Sequence, residues 1–412
     1  MLLHRWLATL KNFRDRPAIF GRDGFLRFSD LAAALDQRPR AESTVIARGE
    51  AAELVVATLQ AWRDEQPLLP LEKSDTATRA PANARGFAHL KRVPDDDGAG
   101  RFIGFRAEQI AADADRIVAA MELEPSTPNL AAISLAHSYG YSSILLPLLL
   151  HGIPIRTVDV PFPAAVRAAM SAHDRIVVPA VPSMWRAWHR SGILQSAPIR
   201  LALSAGAPLH RDLELAVWNS DGLKLHNFYG ASECGGISYD DRPTPRVTES
   251  SLGFPLPGVN VNVAAGGSFA VRSSSVAAAY LGETADAALA DGRFVTPDRG
   301  RIEHGELVFD SSAGEHINVA GRKLGPARIE AALRATGLAD LVRVFGVPSS
   351  DAERVDEIAV LLPPGVDLEK LREAAGATLA GWEVPRHWHT AADESLWTRP
   401  RRDLRRHFGG GE

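Results

Sequence analysis

Short apolar runs alternate with amphipathic stretches through the middle of the chain. Ala131–Ala136 (AAISLA) reads as a buried strand, Ser142–Leu150 as a helix, and Ile153–Val158 as a returning strand. The pattern continues with a strand at Arg175–Val181, an amphipathic helix around Met184–Leu194 and a strand at Ile199–Leu203. A helix at Leu209–Trp218 and a strand at Leu223–Phe228 complete it. Such alternation predicts a mostly parallel sheet with covering helices. After about Asp241 the period shortens. Val259–Val263 and Gly267–Arg272 read as a hairpin around AAGG, followed by short strands at Gly305–Val308 and Ile317–Val319. From about Ser311 a smaller α+β unit is expected. It has a proline-led helix at Pro326–Ala335, strands at Leu341–Val347 and Glu357–Leu362, a helix at Leu368–Leu379 and a last strand at His387–Thr390. The expected fold class is α/β: a large N-terminal domain over residues 1–310, with a β-rich part, and a small α+β domain over 311–412.

Composition narrows the functional classes. The 412 residues include 45% hydrophobic and 23% charged residues, an ordinary globular balance. A net charge of −4 gives no electrostatic grip on nucleic acid or on a membrane surface. The single cysteine, Cys234, excludes an internal disulfide and fits a reducing, cytoplasmic setting. The longest apolar run, Ile144–Leu150, is far short of the roughly 20 residues that span a bilayer. A nicotinamide dehydrogenase is not supported, because no G-x-G-x-x-G follows an early strand, and zinc-site spacings are missing.

The chemistry-bearing segment is Asn227–Gly236, NFYGASECGG. A strand ends in tyrosine and runs into glycine, small residues and a glutamate. Ligands of open α/β sheets sit beyond the carboxyl ends of strands. There a tyrosine ring can stack on a base, a hydroxyl can reach a phosphate, and a carboxylate can hold Mg²⁺. YGASE resembles the YGxTE motif of the adenylate-forming ligases, the superfamily of acyl-CoA synthetases, aryl-CoA ligases, luciferases and peptide-synthetase adenylation domains. Five more segments follow that family's order: HSYGYSSILLPLLLHG (His137–Gly152), LALSAGAPL (Leu201–Leu209), SLGFPLPGVNVNV (Ser251–Val263), GRFVTPDRGRIEHGEL (Gly292–Leu307) and INVAGRKLGPARIEAAL (Ile317–Leu333).

The resemblance implies an ATP-dependent acyl-activation site in the first domain and makes the small C-terminal domain a mobile lid. Tyr229 and Gly230 would lie at adenine, flanked by Gly206 and Ala207. Ser232 would contact the α-phosphate, Glu233 would ligate Mg²⁺, and Asp298 would bind the ribose. His137 and Tyr139 would border the acid, and Gly321 would lie near the path of the thiol of CoA or of a carrier-protein phosphopantetheine. Taken alone, His137 reads as a hydrogen-bonded structural histidine. His137, Tyr139 and Tyr141, with the leucine-rich helix, hint at a medium-sized or aromatic acid.

Three places depart from the family. The phosphate-loop slot holds Val93–Arg101, VPDDDGAGR, in which Asp95, Asp96 and Asp97 repel a polyanion. A solvated acidic turn is the bland reading of this stretch. The hinge stretch is Ser311–Glu315, so Ser312 stands where an arginine is usual and Gly314 where an aspartate is. The catalytic lysine falls on Arg402, a planar fork in place of an ammonium; otherwise Arg399–Arg406 is a basic surface strip. Two functions therefore stand side by side. One is a ligase that forms acyl-AMP and passes the acyl group to a thiol. The other is a degenerate relative that binds adenylate, acyl thioester or a carrier protein without efficient adenylation.

Overall fold

The computed structural model describes residues 1–72, 75, 79–93, 101–281, 289–310, 317–319, 322–349, 356–391, 393, 396–397, 399 and 401–409. The acidic stretch 94–100, the hinge stretch 311–315 and Gly321 lie outside the described residues, as does the Arg402 side chain. Two compact units are present, one formed by 1–93 with 101–309 and one by the chain from 310 onward.

The first unit is built on a nine-stranded sheet. Its parallel centre runs, in spatial order, Leu225–Ala231, Ile199–Ser204, Ile176–Ala180, Asn129–Ala131, Ile155–Thr157 and Pro17–Phe20. Antiparallel strands close both edges: Gly235–Tyr239 and Phe254–Pro255 at one, Phe25–Arg27 at the other. The central strands are apolar on both faces because both faces are covered. Val177, Leu201 and Leu203 enter one core, shared with Ile117, Phe269 and Val271. Their neighbours Ile176, Val178, Ala180 and Ala202 enter the opposite core, with Val166, Leu213 and the T-shaped pair Trp185–Trp188. That split follows the period of two that places successive side chains on opposite faces.

Two further sheets complete the unit. One has the strand order Ala279–Leu281, Arg101–Phe105, His89–Val93, Leu68–Pro70 and Val45–Ala47. The other contains the expected hairpin, Asn260–Val263 paired with Ser268–Arg272, and extends through the long strand Arg293–Glu303. In the second unit, a sheet of Arg343–Pro348, Asp356–Leu362 and His387–Thr390 carries the helices Pro326–Ala335 and Leu368–Thr378 over one face. Proline opens the first of these helices, and Asp367 caps the second by accepting from the Lys370 N–H at 3.2 Å. Among the described residues no helix is long and apolar enough to cross a membrane.

The α/β class and the β-rich part are as the sequence pattern predicts, with two differences. The expected strand at Ala131–Ala136 is only Asn129–Ala131. The chain then leaves the sheet, and Leu135 is buried as a loop residue. A tight approach fixes this exit: a side chain at Gly140 would stand 2.1 Å from the Ser134 carbonyl oxygen. The basic tail is not a free surface strip. Arg401–Phe408 is a helix, Leu404 is fully buried against Phe345 and Leu361, Arg401 pairs with Glu330 at 2.9 Å, and Arg405 pairs with Asp356 at 2.6 Å.

A buried ion network holds the base of the strand Leu225–Ala231. Lys224 pairs with Glu214 and, at 2.7 Å, with Asp240. Arg246 donates to Glu214 Oε2 at 2.8 Å, to the Ser251 carbonyl at 2.7 Å and to the Leu209 carbonyl at 2.6 Å. Arg246 is 1% exposed and Glu214 fully buried. Removing one partner of such a pair leaves a buried charge and orphaned carbonyls. Arg246→Met should therefore cost about 3–5 kcal/mol of stability, read as a lower urea midpoint. A loss under about 1 kcal/mol would mean that the network relaxes without it.

Candidate active site

Two parallel strands and one turn assemble the site. The strand Ile199–Ser204 ends in Ala205-Gly206-Ala207, and Gly206 takes a positive φ of 81°. Its neighbour Leu225–Ala231 carries Tyr229 and Gly230 at its carboxyl end. The chain then turns through Ser232, Glu233 and Cys234 and returns antiparallel as Gly235–Tyr239.

The turn is crowded in a way only glycine permits. A side chain at Gly230 would stand 2.6 Å from the Gly235 carbonyl oxygen. At Gly235, φ is +71° and a side chain would stand 2.2 Å from Asp113 Oδ1. Asp113 itself accepts the Gly236 N–H at 2.9 Å and is 3% exposed.

One direct contact joins two of the expected residues, and two others touch neighbouring elements. The Tyr229 hydroxyl donates to Asp298 Oδ2 at 2.9 Å, joining the central sheet to the long strand Arg293–Glu303. Burial, reinforced by the Asp298 charge, pushes the Tyr229 hydroxyl well above its usual range, so it stays a donor. The Thr296 hydroxyl bonds the Asp298 carbonyl at 2.8 Å. The Ser138 hydroxyl donates to Ser232 Oγ at 3.3 Å, and the next residue, Tyr139, reaches the Leu203 carbonyl at 3.4 Å. Thus Tyr139 lies at the end of the strand that carries Gly206 and Ala207. His137 stands apart: its side chain is 68% exposed and lies 3.2 Å from Glu72.

Glu233 is the carboxylate of the turn. Burial raises its pKa, opposed by the Tyr280 hydroxyl, which donates to Oε1 at 3.2 Å, and by the charges of Lys91 and Arg101. Arg101 itself lies over the Tyr280 ring at 4.5 Å. Among the described residues no group of three or more His, Cys, Asp or Glu side chains is arranged to hold a metal. One carboxylate beside a serine suits an ion such as Mg²⁺, which keeps several waters and takes further oxygens from phosphates.

Three residues of this neighbourhood escape the sequence reading. Asp113 had a legible signal, because it shares the apolar face of the helix Ala107–Ala120 with Ile110, Ala114 and Ile117. Lys91 had a weaker one, a lone lysine inside the strand His89–Val93. Tyr280 had none.

Crowding at Gly235 yields a direct test. Gly258 has a similar φ of +77° with nothing within 4 Å of the added carbon. Alanine there meets only the left-handed backbone penalty, about 1–2 kcal/mol. Gly235→Ala should cost at least about 1–3 kcal/mol more, from overpacking against Asp113. Equal melting temperatures for the two variants would contradict that packing.

Comparison with known proteins fits this geometry. Residues 107–280 match the family model described as AMP-binding enzyme. A probable 2-succinylbenzoate–CoA ligase of Mycobacterium tuberculosis is 29% identical over 201 residues, 47% of this chain and 49% of that protein. A 3-[(3aS,4S,7aS)-7a-methyl-1,5-dioxo-octahydro-1H-inden-4-yl]propanoyl:CoA ligase of Rhodococcus jostii is 28% identical over 268 residues, 61% of this chain and 51% of that protein. The chain spans about half the length of the curated relatives it matches. In structure it is similar to an o-succinylbenzoate CoA synthetase double mutant of Bacillus subtilis bound with a product analogue. The TM-score is 0.82 at 16% identity, covering 97% of each chain. An amide bond synthetase of Marinactinospora thermotolerans gives a TM-score of 0.78 at 17% identity, covering 99% of each chain. The matched segment spans the tyrosine strand and its turn, and the chain shares its fold with these solved structures.

Proposed function

We propose that this protein activates a carboxylic acid with ATP and transfers the acyl group to a thiol. The observation that carries this reading is the Tyr229–Asp298 hydrogen bond, which joins two distant segments beside the Ser232–Glu233 turn. The acid's carboxylate oxygen attacks the α-phosphorus of ATP, and the bond to pyrophosphate breaks, leaving acyl-AMP. A thiolate then attacks the acyl carbon, and AMP departs with the electron pair of the mixed anhydride.

In this reading Tyr229 and Gly230 meet the base, with Gly206 and Ala207 at its edge. Asp298 accepts from the ribose hydroxyls, which is chemistry a carboxylate already aligned by Tyr229 can do without reorganising. Ser232 faces the α-phosphate. Mg²⁺ carried on the nucleotide would neutralise charge on the phosphates, and Glu233 is the residue that would hold it. Tyr139 and His137 border the acid. The second unit, with Arg402 and Gly321, acts as the mobile part, and Arg402 supplies the cation for the departing pyrophosphate. CoA and carrier-protein phosphopantetheine are both open as the thiol.

Relatives named for 2-succinylbenzoate, a ring-bearing propanoate and long-chain fatty acids suggest a test panel. ATP–pyrophosphate exchange should appear with at least one such acid. Glu233→Gln should lower that exchange by about 100-fold or more. The same variant should keep the rise in melting temperature that saturating AMP gives the parent protein, because AMP binding does not need the metal. Silence of the parent protein with every acid, together with no shift by AMP, would overturn the proposal.

A further inference from the structure

Beneath the Ser232–Glu233 turn lies a cation that none of the steps above uses. Lys91, on the strand His89–Val93, is 6% exposed. Its ammonium donates to the Ser232 carbonyl at 3.2 Å and sits 4.4 Å from the centre of the Phe105 ring. Among the described residues no carboxylate pairs with it at contact; Asp113 and Glu233 act on it only through space. Burial depresses its pKa, and those two carboxylates, with Cys234, oppose the shift.

Such a lysine is costly. Removing an ammonium from water is strongly unfavourable, and a neutral carbonyl with a ring returns only part of that loss. A methionine would fill the same space without that cost. The charge is also placed where it can act. The carbonyl it holds belongs to the peptide between Ser232 and Glu233, whose side chains face the proposed α-phosphate and metal.

Resting on the adenylating reading above, we propose that Lys91 is a positioning residue for the phosphate end of the nucleotide site. It fixes the Ser232–Glu233 peptide through the Ser232 carbonyl and adds a positive potential beneath a phosphate ester bound at the turn. A structural lysine would support base, ribose and phosphate binding alike. A lysine acting at the phosphate end separates AMP from adenosine, which lacks the phosphate.

The test is calorimetric titration of AMP and of adenosine into the full chain, with parent, Lys91→Met and Lys91→Gln proteins, each first shown to melt cooperatively. Lys91→Met should weaken AMP by about tenfold while adenosine stays within about twofold. Lys91→Gln retains a donor without the charge, and should give the same selective loss; it decides the matter where the methionine variant does not fold. Equal weakening of AMP and adenosine, or an unchanged AMP affinity, would overturn the role of Lys91 and leave the nucleotide site standing. A parent protein that binds neither compound would overturn the nucleotide site itself, and Lys91's role with it.

Discussion

One buried hydrogen bond governs the geometry of the candidate site: the Asp113 carboxylate accepting the Gly236 N–H at 2.9 Å. It comes from the helix Ala107–Ala120, which is packed under the sheet by Ile110, Ala114 and Ile117. The bond ties the return strand to that helix, so the turn between Ala231 and Gly235 cannot drift. Gly230 and Gly235 are then required by close approach rather than by flexibility, since each lacks room for a side chain. Within the turn so anchored, Lys91 and Ser138 hold Ser232, and the Tyr280 hydroxyl holds Glu233. For the nucleotide site proposed here, groups fixed before the ligand arrives are an advantage, because any freedom left would be lost again on binding.

The base of the same strand is held by different physics. Glu214, Lys224, Asp240 and Arg246 are buried charges satisfied by one another and by carbonyls. Ion networks of this type contribute little net stability compared with apolar packing, but removing one partner leaves an uncompensated buried charge. Strand register is thereby fixed at one end by charge and at the other by the Asp113 bond and glycine crowding. Tyr229 lies between them, where its ring and its bond to Asp298 join the central sheet to the β-rich one.

What the sequence made legible follows from signal strength. Strands buried on both faces, such as Ile176–Ala180, read as continuous apolar runs, and the hairpin around AAGG has its turn chemistry written in glycine. The tyrosine turn was readable because its crowding demands small residues in a fixed order. The sheet containing Val45–Ala47 and Leu68–Pro70 was not readable, since strands of three residues carry no periodicity. Pro17–Phe20 joining the central sheet beside Ile155–Thr157 is a long-range pairing that no local pattern encodes. Lys91 was missed for a related reason: a lysine in a strand reads as an exposed position until the partner sheet that covers it is known.

The stretch from His137 to Tyr141 shows how local geometry redistributes residues that sequence groups together. His137 is mostly exposed, Tyr139 bonds the Leu203 carbonyl, and Tyr141 is 1% exposed with its ring stacked on the buried His89 at 4.0 Å. A π-helical turn begins at Tyr141 and runs to Leu145. Its wider i→i+5 spacing accommodates one extra residue, a deviation found often at functional sites. Tyr139 is therefore left against the strand ends while Tyr141 turns into the core. The three side chains cannot form one wall of an acid pocket. Of the three, only Tyr139 and His137 remain candidates for the proposed acid site, and Tyr141 packs on His89.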